Sequence, residues 1–367
     1  MRILVLNPGS STLKGSLLAA GKDNAVTATV DWPAGEAGAD AVVGSVLDEL
    51  PRGADAVGYR VVHGGTAYRA PARVDDALLV AVEELDALAP LHNRRAAAVI
   101  RAGQALLPDL PHVACFDTAF HATLSEEARR YPLPADWVER WGIRRFGFHG
   151  LSVAWSTRRA AELLGRPAGE LRMVVAHLGS GCSVTAVEAG RSVDTSMGLT
   201  PYEGLMMGTR SGSVDPGILL RLLDGGIATD QLAEGLAHRS GLLAIGGTAS
   251  ARELEQRDVA GDRAATLALG MFARRAAAAI ASAATALSTL DAVVFTGGIG
   301  EHSAAVRAAI TGRLAVLDVP FVSTPADGDA VLAEGPPAVV VVRAREDRVI
   351  ADEVSRALQV TDEPLPG

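Results

Sequence analysis

The sequence predicts an α/β chain of two domains, and three observations carry that prediction. Short unbroken apolar runs at residues 3–6, 174–176, 293–295 and 339–342 have the texture of strands buried on both faces. Stretches with helical spacing separate them, and strands alternating with helices point to α/β architecture. The chain has 367 residues, too many for one core and suited to two domains of about 150 residues each.

The first run, Ile3-Leu4-Val5-Leu6, ends at Asn7-Pro8-Gly9, residues that stop a strand. Leu78, Val82, Leu85 and Leu88 fall at helical spacing, and Pro90 ends that helix. Residues 262–290 read as a long Ala-rich helix with Arg274 and Arg275 on an edge. The next strand, 292–296, enters a Gly-rich turn, Gly297-Gly298-Ile299-Gly300, and residues 303–314 resume helix. A faint repeat is also visible. Residues 3–10 and 173–180 both run from an apolar strand into a Gly-Ser turn. That suggests a duplicated domain, although two unrelated hairpins would leave the same texture. Tyr131-Pro132-Leu133-Pro134 suggests a boundary between residues 121 and 150, where no shift in composition marks one.

Composition narrows the function classes. At 49% hydrophobic and 21% charged, with net charge −9, the chain is globular and has no broad attraction for nucleic acid or an anionic membrane. An anionic ligand must therefore meet a few placed cations. Among 34 cations only Lys14 and Lys22 are lysines, and Lys14 closes a Gly-Ser loop. Cys115 and Cys182 read as packed thiols rather than a disulfide framework or a zinc site. The N-terminal apolar run breaks too early for a signal peptide, and residues 276–287 are short of a membrane span. The expected location is cytoplasmic.

Several segments carry chemistry. Asn7 to Lys14, NPGSSTLK, combines a flexible Gly, hydroxyls, an amide and a cation, a set that can hold phosphate oxygens. It is neither a Walker A loop nor a dinucleotide fingerprint. In YRVVHGG, Arg60 on an apolar strand can grip a carboxylate or phosphoryl group bidentately, or form an internal salt bridge. His92 sits at a helix end, as a functional or a capping imidazole. Asp117 follows a strand among apolar neighbours, where a charged carboxylate needs a cation, a metal or a hydrogen-bond cage. His149 lies in RRFGFHG. Residues 192–212 lack periodicity and are dense in Gly, Met and hydroxyls, with Arg210 near the end. Anion-binding turns, placed Arg and His donors and metal-holding carboxylates together suggest phosphoryl transfer.

NPGSSTLK, YRVVHGG, LAPLHN, FDTAFH, RRFGFHG, VDTSMGLTPYEGLMMGTRSG and FTGGIGEH occur in that order over nearly the whole chain. In this the sequence resembles the acetate kinase family, of the actin-like sugar kinase and heat-shock ATPase superfamily. The resemblance implies two actin-like (ribonuclease H-like) domains from a duplicated core, with a nucleotide cleft between them. One would comprise residues 1–121 plus 348–367, the other 122–347. The implied reaction is reversible Mg²⁺-dependent transfer from ATP to acetate, giving acetyl phosphate and ADP, in a cytoplasmic homodimer; Mn²⁺ is an alternative metal.

By position, the resemblance assigns Asn7 and Glu346 to the metal and Lys14 to the nucleotide phosphates. Arg60 would bind the acyl carboxylate, with Val62, Leu91 and Pro201 shaping a methyl pocket. Asp117 would act at the reacting oxygen, and His149 and Arg210 would stabilise the transition state, with His92 nearby. The nucleotide would meet His177, Leu178, Gly179, Ser180, Gly181, Ser250, Arg252, Gly298, Ile299, Gly300, Glu301 and His302. Five residues depart from the usual pattern. Ser180 replaces an Asn, Cys182 a hydroxyl residue, Ser250 an Asp, His302 an Asn and Val153 a His. The departures at Ser180, Cys182, Ser250 and His302 fall on the nucleotide side, so pyrophosphate or another nucleotide is the alternative donor. Propionate is the alternative acceptor, and a non-catalytic nucleotide-binding regulator the third reading.

Overall fold

The computed structural model describes residues 1–9, 11–19, 21, 24–32, 38–89 and 92–359. Among these, twelve strands form two six-stranded sheets. They are β1 (Arg2–Pro8), β2 (Thr12–Ala19), β3 (Ala25–Asp31), β4 (Ala56–Val61), β5 (Ala72–Arg73), β6 (His112–Phe116), β7 (Arg172–Leu178), β8 (Cys182–Glu188), β9 (Arg191–Thr195), β10 (Ala292–Thr296), β11 (Ala330–Ala333) and β12 (Ala338–Val341).

The chain divides into two compact units. The first, Met1–Ala122, Phe148–Trp155 and Arg345–Gly367, holds a sheet ordered β3-β2-β1-β4-β6-β5. The pairs β1–β2, β2–β3 and β5–β6 are antiparallel, while β1–β4 and β4–β6 are parallel. The second, Thr123–Gly147 and Ser156–Ala344, holds β9-β8-β7-β10-β12-β11 with the same pattern of directions. Register matches too: Ile3 faces Ala56 and Met173 faces Ala292. Asn7 thus corresponds to His177, and β1 and β7 end at the equivalent Pro8 and Leu178. The faint repeat is a duplicated topology.

Strand alternation splits the first sheet's apolar residues between its faces. Leu4, Leu6, Val57 and Tyr59 pack with Val43 and Val46 of the helix Ala39–Glu49 and with Val99 and Ile100 of the helix Asn93–Leu106. Ile3, Val5, Ala56 and Val113 pack with Leu151 and with Val349, Ile350 and Val354 of the helix Glu346–Gln359. Burying such a side chain fully contributes about 1.5–3 kcal/mol. Leu151 explains a difference from the expected division at 121/122 and 347/348. The first unit also takes Phe148–Trp155, and its last segment begins at Arg345.

The Ala-rich helix runs Arg263–Ala284, ending earlier than residue 290, with Asp262 capping the amides of Ala264 and Ala265. At 22 residues it is long and apolar enough to cross a membrane by length and composition, unlike the shorter run at 276–287. It nevertheless packs as a core helix, burying Ala265, Ala268, Phe272, Ala276, Ile280 and Ala283, with Arg274 and Arg275 exposed. The helix carrying Leu78 and Val82 spans Asp76–Glu84, and Leu85–Ala87 continues it as a 3-10 turn; Pro90, named as its stop, lies outside the described residues.

The Gly-rich stretch after β10 is a helix, Gly297–His302, rather than an open turn. Gly297 makes it fit: its φ is +77°, and a Cβ there would lie 2.8 Å from the Leu178 carbonyl oxygen. Arg307, fully buried, donates to the carbonyls of Gly300 and Glu301 at the helix's C-terminal end.

Candidate active site

In the first unit, β1, β4 and β6 run parallel, so their C-terminal ends share one sheet edge, the usual place for ligands in such sheets. Asn7 lies at the end of β1, Arg60 near the end of β4, and Asp117 directly after β6; Glu346 opens the helix Glu346–Gln359. The four side chains meet. Arg60 donates from Nη2 to Asp117 Oδ2 at 2.6 Å, and from Nε to Oδ1 at 3.1 Å. Its Nη1 donates to Asn7 Oδ1 at 3.3 Å, and Nε lies 3.6 Å from Glu346 Oε2. Asn7 Nδ2 donates to Glu346 Oε2 at 2.8 Å. Arg60 therefore forms an internal ion pair with Asp117, as the second of its two sequence readings allows.

Asp117 is fully buried, and its backbone is fixed on both sides. Its N–H donates to Val61 O, and its carbonyl accepts the Gly150 N–H at 3.0 Å. A Cβ on Gly150 would fall on that carbonyl oxygen, so only Gly allows the approach. His149, held at φ +58°, donates its backbone N–H toward the Asp117 carboxyl. Burial raises the Asp117 pKa, while Arg60 pulls it down by charge and hydrogen bonding. Burial disfavours the Arg60 charge, but Asp117 and Glu346 outweigh it and raise its pKa.

Asp117 and Glu346 thus both face the Arg60 guanidinium. With the Asn7 amide they form a hard-oxygen donor set, and Mg²⁺ typically takes one or two carboxylates beside substrate phosphates. The donor chemistry fits that ion. Lys14, exposed on β2, faces Asn7 across the antiparallel ladder and so shares its side of the sheet.

Val62 is buried but lies beyond the end of β4 at Val61, so strand alternation does not extend from Arg60 to it. His92 takes the N-cap position of the helix Asn93–Leu106 without a side-chain capping bond. Leu91 lies outside the described residues. Asn93 and His63, quoted within motifs but given no role, form the scaffold. The buried Asn93 amide accepts from His63 N–H and donates to the carbonyls of His63 and Val82.

In the second unit, β7 and β8 are joined by a tight turn in which Gly179 N–H donates to Gly181 O. His177 is half-buried and Leu178 buried at the end of β7. Ser180 is exposed, and its carbonyl accepts the Gly208 N–H at 3.2 Å. A Cβ on Gly179 would lie 3.9 Å from Gly298 N, and one on Gly208 3.5 Å from Ala249 O. The turn, the Gly298 segment, residue 249 and the Arg210 loop are therefore neighbours. Cys182 donates to Gly179 O, and burial pushes its thiol up to about 12.

Arg210 Nη1 donates to the Pro201 carbonyl at 3.1 Å. Burial lowers its pKa, its ionisable neighbours are Tyr202 and Cys182, and no carboxylate pairs with it among the described residues. A half-buried guanidinium in that state favours an anion. Ser250 caps the helix Ala251–Val259 by accepting Glu253 N–H, beside the exposed Arg252. Glu301 Oε1 accepts Ala344 N–H at 2.9 Å, Gly300 is buried and Ile299 half-buried, while Gly298 and His302 are exposed. Sequence reasoning gave no role to Arg145, Glu203 or Tyr131, which meet in one cluster. Charged residues inside RRFGFHG and YEGLMMG were the available signal.

A profile of the acetokinase family matches residues 36–352. An acetate kinase of Synechococcus sp. (strain JA-2-3B'a(2-13)) is 42% identical over an alignment of 403 residues, covering 98% of this chain and 100% of that one. The crystal structure of Porphyromonas gingivalis acetate kinase superposes with a TM-score of 0.83 at 32% identity, covering 97% and 99% of the two chains. A propionate kinase from Francisella tularensis gives 0.81 at 34%, covering 96% and 98%. Motif order, duplicated topology and near-complete coverage agree: this chain belongs to the acetokinase family.

Proposed function

We propose that the chain catalyses reversible transfer of the γ-phosphoryl group of ATP to acetate, giving acetyl phosphate and ADP. The observation that carries this is the Asn7–Arg60–Asp117–Glu346 cluster at the strand ends of the first sheet. An acetate oxygen forms a bond to the γ-phosphorus while the bond to the β,γ-bridging oxygen breaks, its electron pair leaving on ADP. A carboxylate is already ionised at neutral pH, so no strong base is needed. Catalysis then falls on positioning and on meeting the phosphoryl oxygens with fixed cations. Arg60 orients the acetate carboxylate, and Asp117 holds Arg60. Val62 lines the methyl side of the acetate. Arg210, paired with no carboxylate among the described residues, takes the transferring group, and His149 assists it. Lys14 and the Gly179 turn serve the nucleotide phosphates. Asn7 and Glu346 would hold Mg²⁺, which when bound neutralises phosphoryl oxygens.

A coupled assay with acetate, ATP and Mg²⁺ tests this directly, and turnover no higher than that of His149→Ala would sink it. Propionate is the second reading, favoured by the likeness to a propionate kinase structure; the kcat/KM ratio of the two acids separates them. Comparing ATP, GTP and pyrophosphate at fixed acetate settles the donor. The reading includes a homodimer. The helix Pro216–Asp224 buries none of its residues, yet carries Ile218, Leu220, Leu222 and Leu223. A helix this short needs packing to persist, and a second copy would supply it.

A further inference from the structure

We propose that Glu203, clamped between Arg145 and Tyr131, is the positioning residue that fixes Arg210 for phosphoryl transfer. This rests on the reading of Arg210 given above and adds the device that holds it.

From Ser196 to Ser213 the chain contains neither helix nor strand. Its shape must come from side chains and turns. Arg145 brackets the start of this segment. Its Nη1 donates to the carbonyls of Ser196, at 3.3 Å, and Met197, at 3.0 Å, while Nη2 donates to Glu203 Oε1 at 3.0 Å. One planar fork thus ties residues 196–197 to residue 203.

Tyr131 closes the bracket from the other side. Its hydroxyl donates to Glu203 Oε2 and accepts the Leu199 N–H at 3.2 Å. The Arg145 guanidinium lies over the Tyr131 ring, 5.3 Å from its centroid, completing a triangle. The backbone amides of Phe146 and Gly147 both donate to the Gly198 carbonyl. Gly198 has no room for a side chain, since a Cβ would fall on the Glu203 carboxyl and the Tyr131 hydroxyl.

Pro201 lies inside this bracket, two residues after Leu199 and two before Glu203. Its carbonyl is the acceptor for Arg210 Nη1. Arg210 Nη1 also donates a weak hydrogen bond to the Met207 sulfur at 3.7 Å. The direction of the guanidinium therefore depends on where the bracket holds one carbonyl. A misplacement of about 1 Å in a catalytic group can cost about 100-fold in rate.

The test is a double-mutant cycle read in kcat and KM, with thermal melting of every variant. Glu203→Ala is expected to lower kcat by about 10- to 100-fold, with KM for acetate and ATP changed by less than about three-fold. Glu203→Gln keeps an acceptor for Arg145 and a bond to the Tyr131 hydroxyl, and should recover most of the loss. In an Arg210→Lys background, Glu203→Ala should cost less than about two-fold more, because the group it positions is already displaced. Tyr131→Phe keeps the ring and removes only the hydroxyl, so it serves if Glu203→Ala does not fold; it should lower kcat and lose that effect in Arg210→Lys. Multiplicative losses, or a rise in KM at unchanged kcat, would overturn the inference while leaving the role of Arg210 standing. Full activity in Arg210→Ala would overturn both.

Discussion

Thr296 stands in the second sheet where Arg60 stands in the first. Tyr59 faces Leu6 across the β1–β4 ladder, and Phe295 faces the equivalent Ala176 across β7–β10, so the next residue outward is Arg60 in one sheet and Thr296 in the other. The duplicated frame offers the same position twice. Charge occupies only one of the two, and there it has Asp117 as partner.

That contrast gives opposite expectations for two substitutions. Arg60→Met leaves the buried Asp117 carboxylate without its cation and should cost about 3–5 kcal/mol. Adding Asp117→Leu should restore much of that stability while activity stays lost. The Thr296 hydroxyl is buried with no hydrogen-bond partner among the described residues. Thr296→Val should therefore leave stability unchanged or raise it by about 1 kcal/mol. Urea melts of the three variants check both.

Arg210→Ala should lower kcat by about 10³- to 10⁵-fold, the usual worth of a catalytic arginine in phosphoryl transfer. Arg210→Lys keeps the charge without the fork, and should recover part of it. Melting temperatures should stay near that of the parent. A large drop in melting temperature with a proportionate loss of rate would instead make Arg210 a loop anchor.

His121 supplies a pH dependence. It is buried, and because a carbonyl can only accept, its Nε2–H is the donor to Phe148 O at 2.9 Å. Burial pushes its pKa down to about 4. The unfolded chain, with a histidine near 6.5, then binds more protons between those values than the folded one. Stability is full above about pH 6.5 and falls as pH drops toward 4, by about 3 kcal/mol. His121→Gln, which keeps the donor but does not titrate, should flatten that slope in urea melts at pH 7 and pH 5.

The exposed leucines of the helix Pro216–Asp224 predict an association surface. Leu220, 64% exposed, and Leu223, 40% exposed, are the positions to change. Leu220→Glu with Leu223→Glu should convert a dimer to a monomer in sedimentation equilibrium with the fold retained by circular dichroism. A parent protein that sediments as a monomer would dispose of the idea.

Strands were legible in the sequence where a run was apolar throughout, because residues such as Val174 and Val293 are buried on both faces of a sheet and need no periodicity to reveal them. The helix at Gly297–His302 was hidden, since glycines are poor helix formers and long-range contacts, the packing of Gly297 on Leu178 and the grip of Arg307 among them, help to hold it. Arg60 and Asp117 were visible as a cation and an acid that each needed a partner. That they partner one another depends on β4 and β6 being adjacent, a long-range pairing that local sequence does not encode. Ser250 shows a local rule at work: a Ser directly before a helix makes the cap expected of it.

The helix Glu346–Gln359 roofs a sheet whose first strand begins at Arg2. A ribosome therefore releases β1, β4 and β6 long before the segment that covers Ile3, Val5, Ala56 and Val113. Until residues 346–359 are made, much of that apolar face lacks its cover and lies open to water, chaperones and neighbouring nascent chains. That helix also brings Glu346 to Asn7 and Arg60. Completion of the first core and arrival of the fourth member of the charged cluster are thus one folding event, so a chain stalled before residue 346 lacks both together.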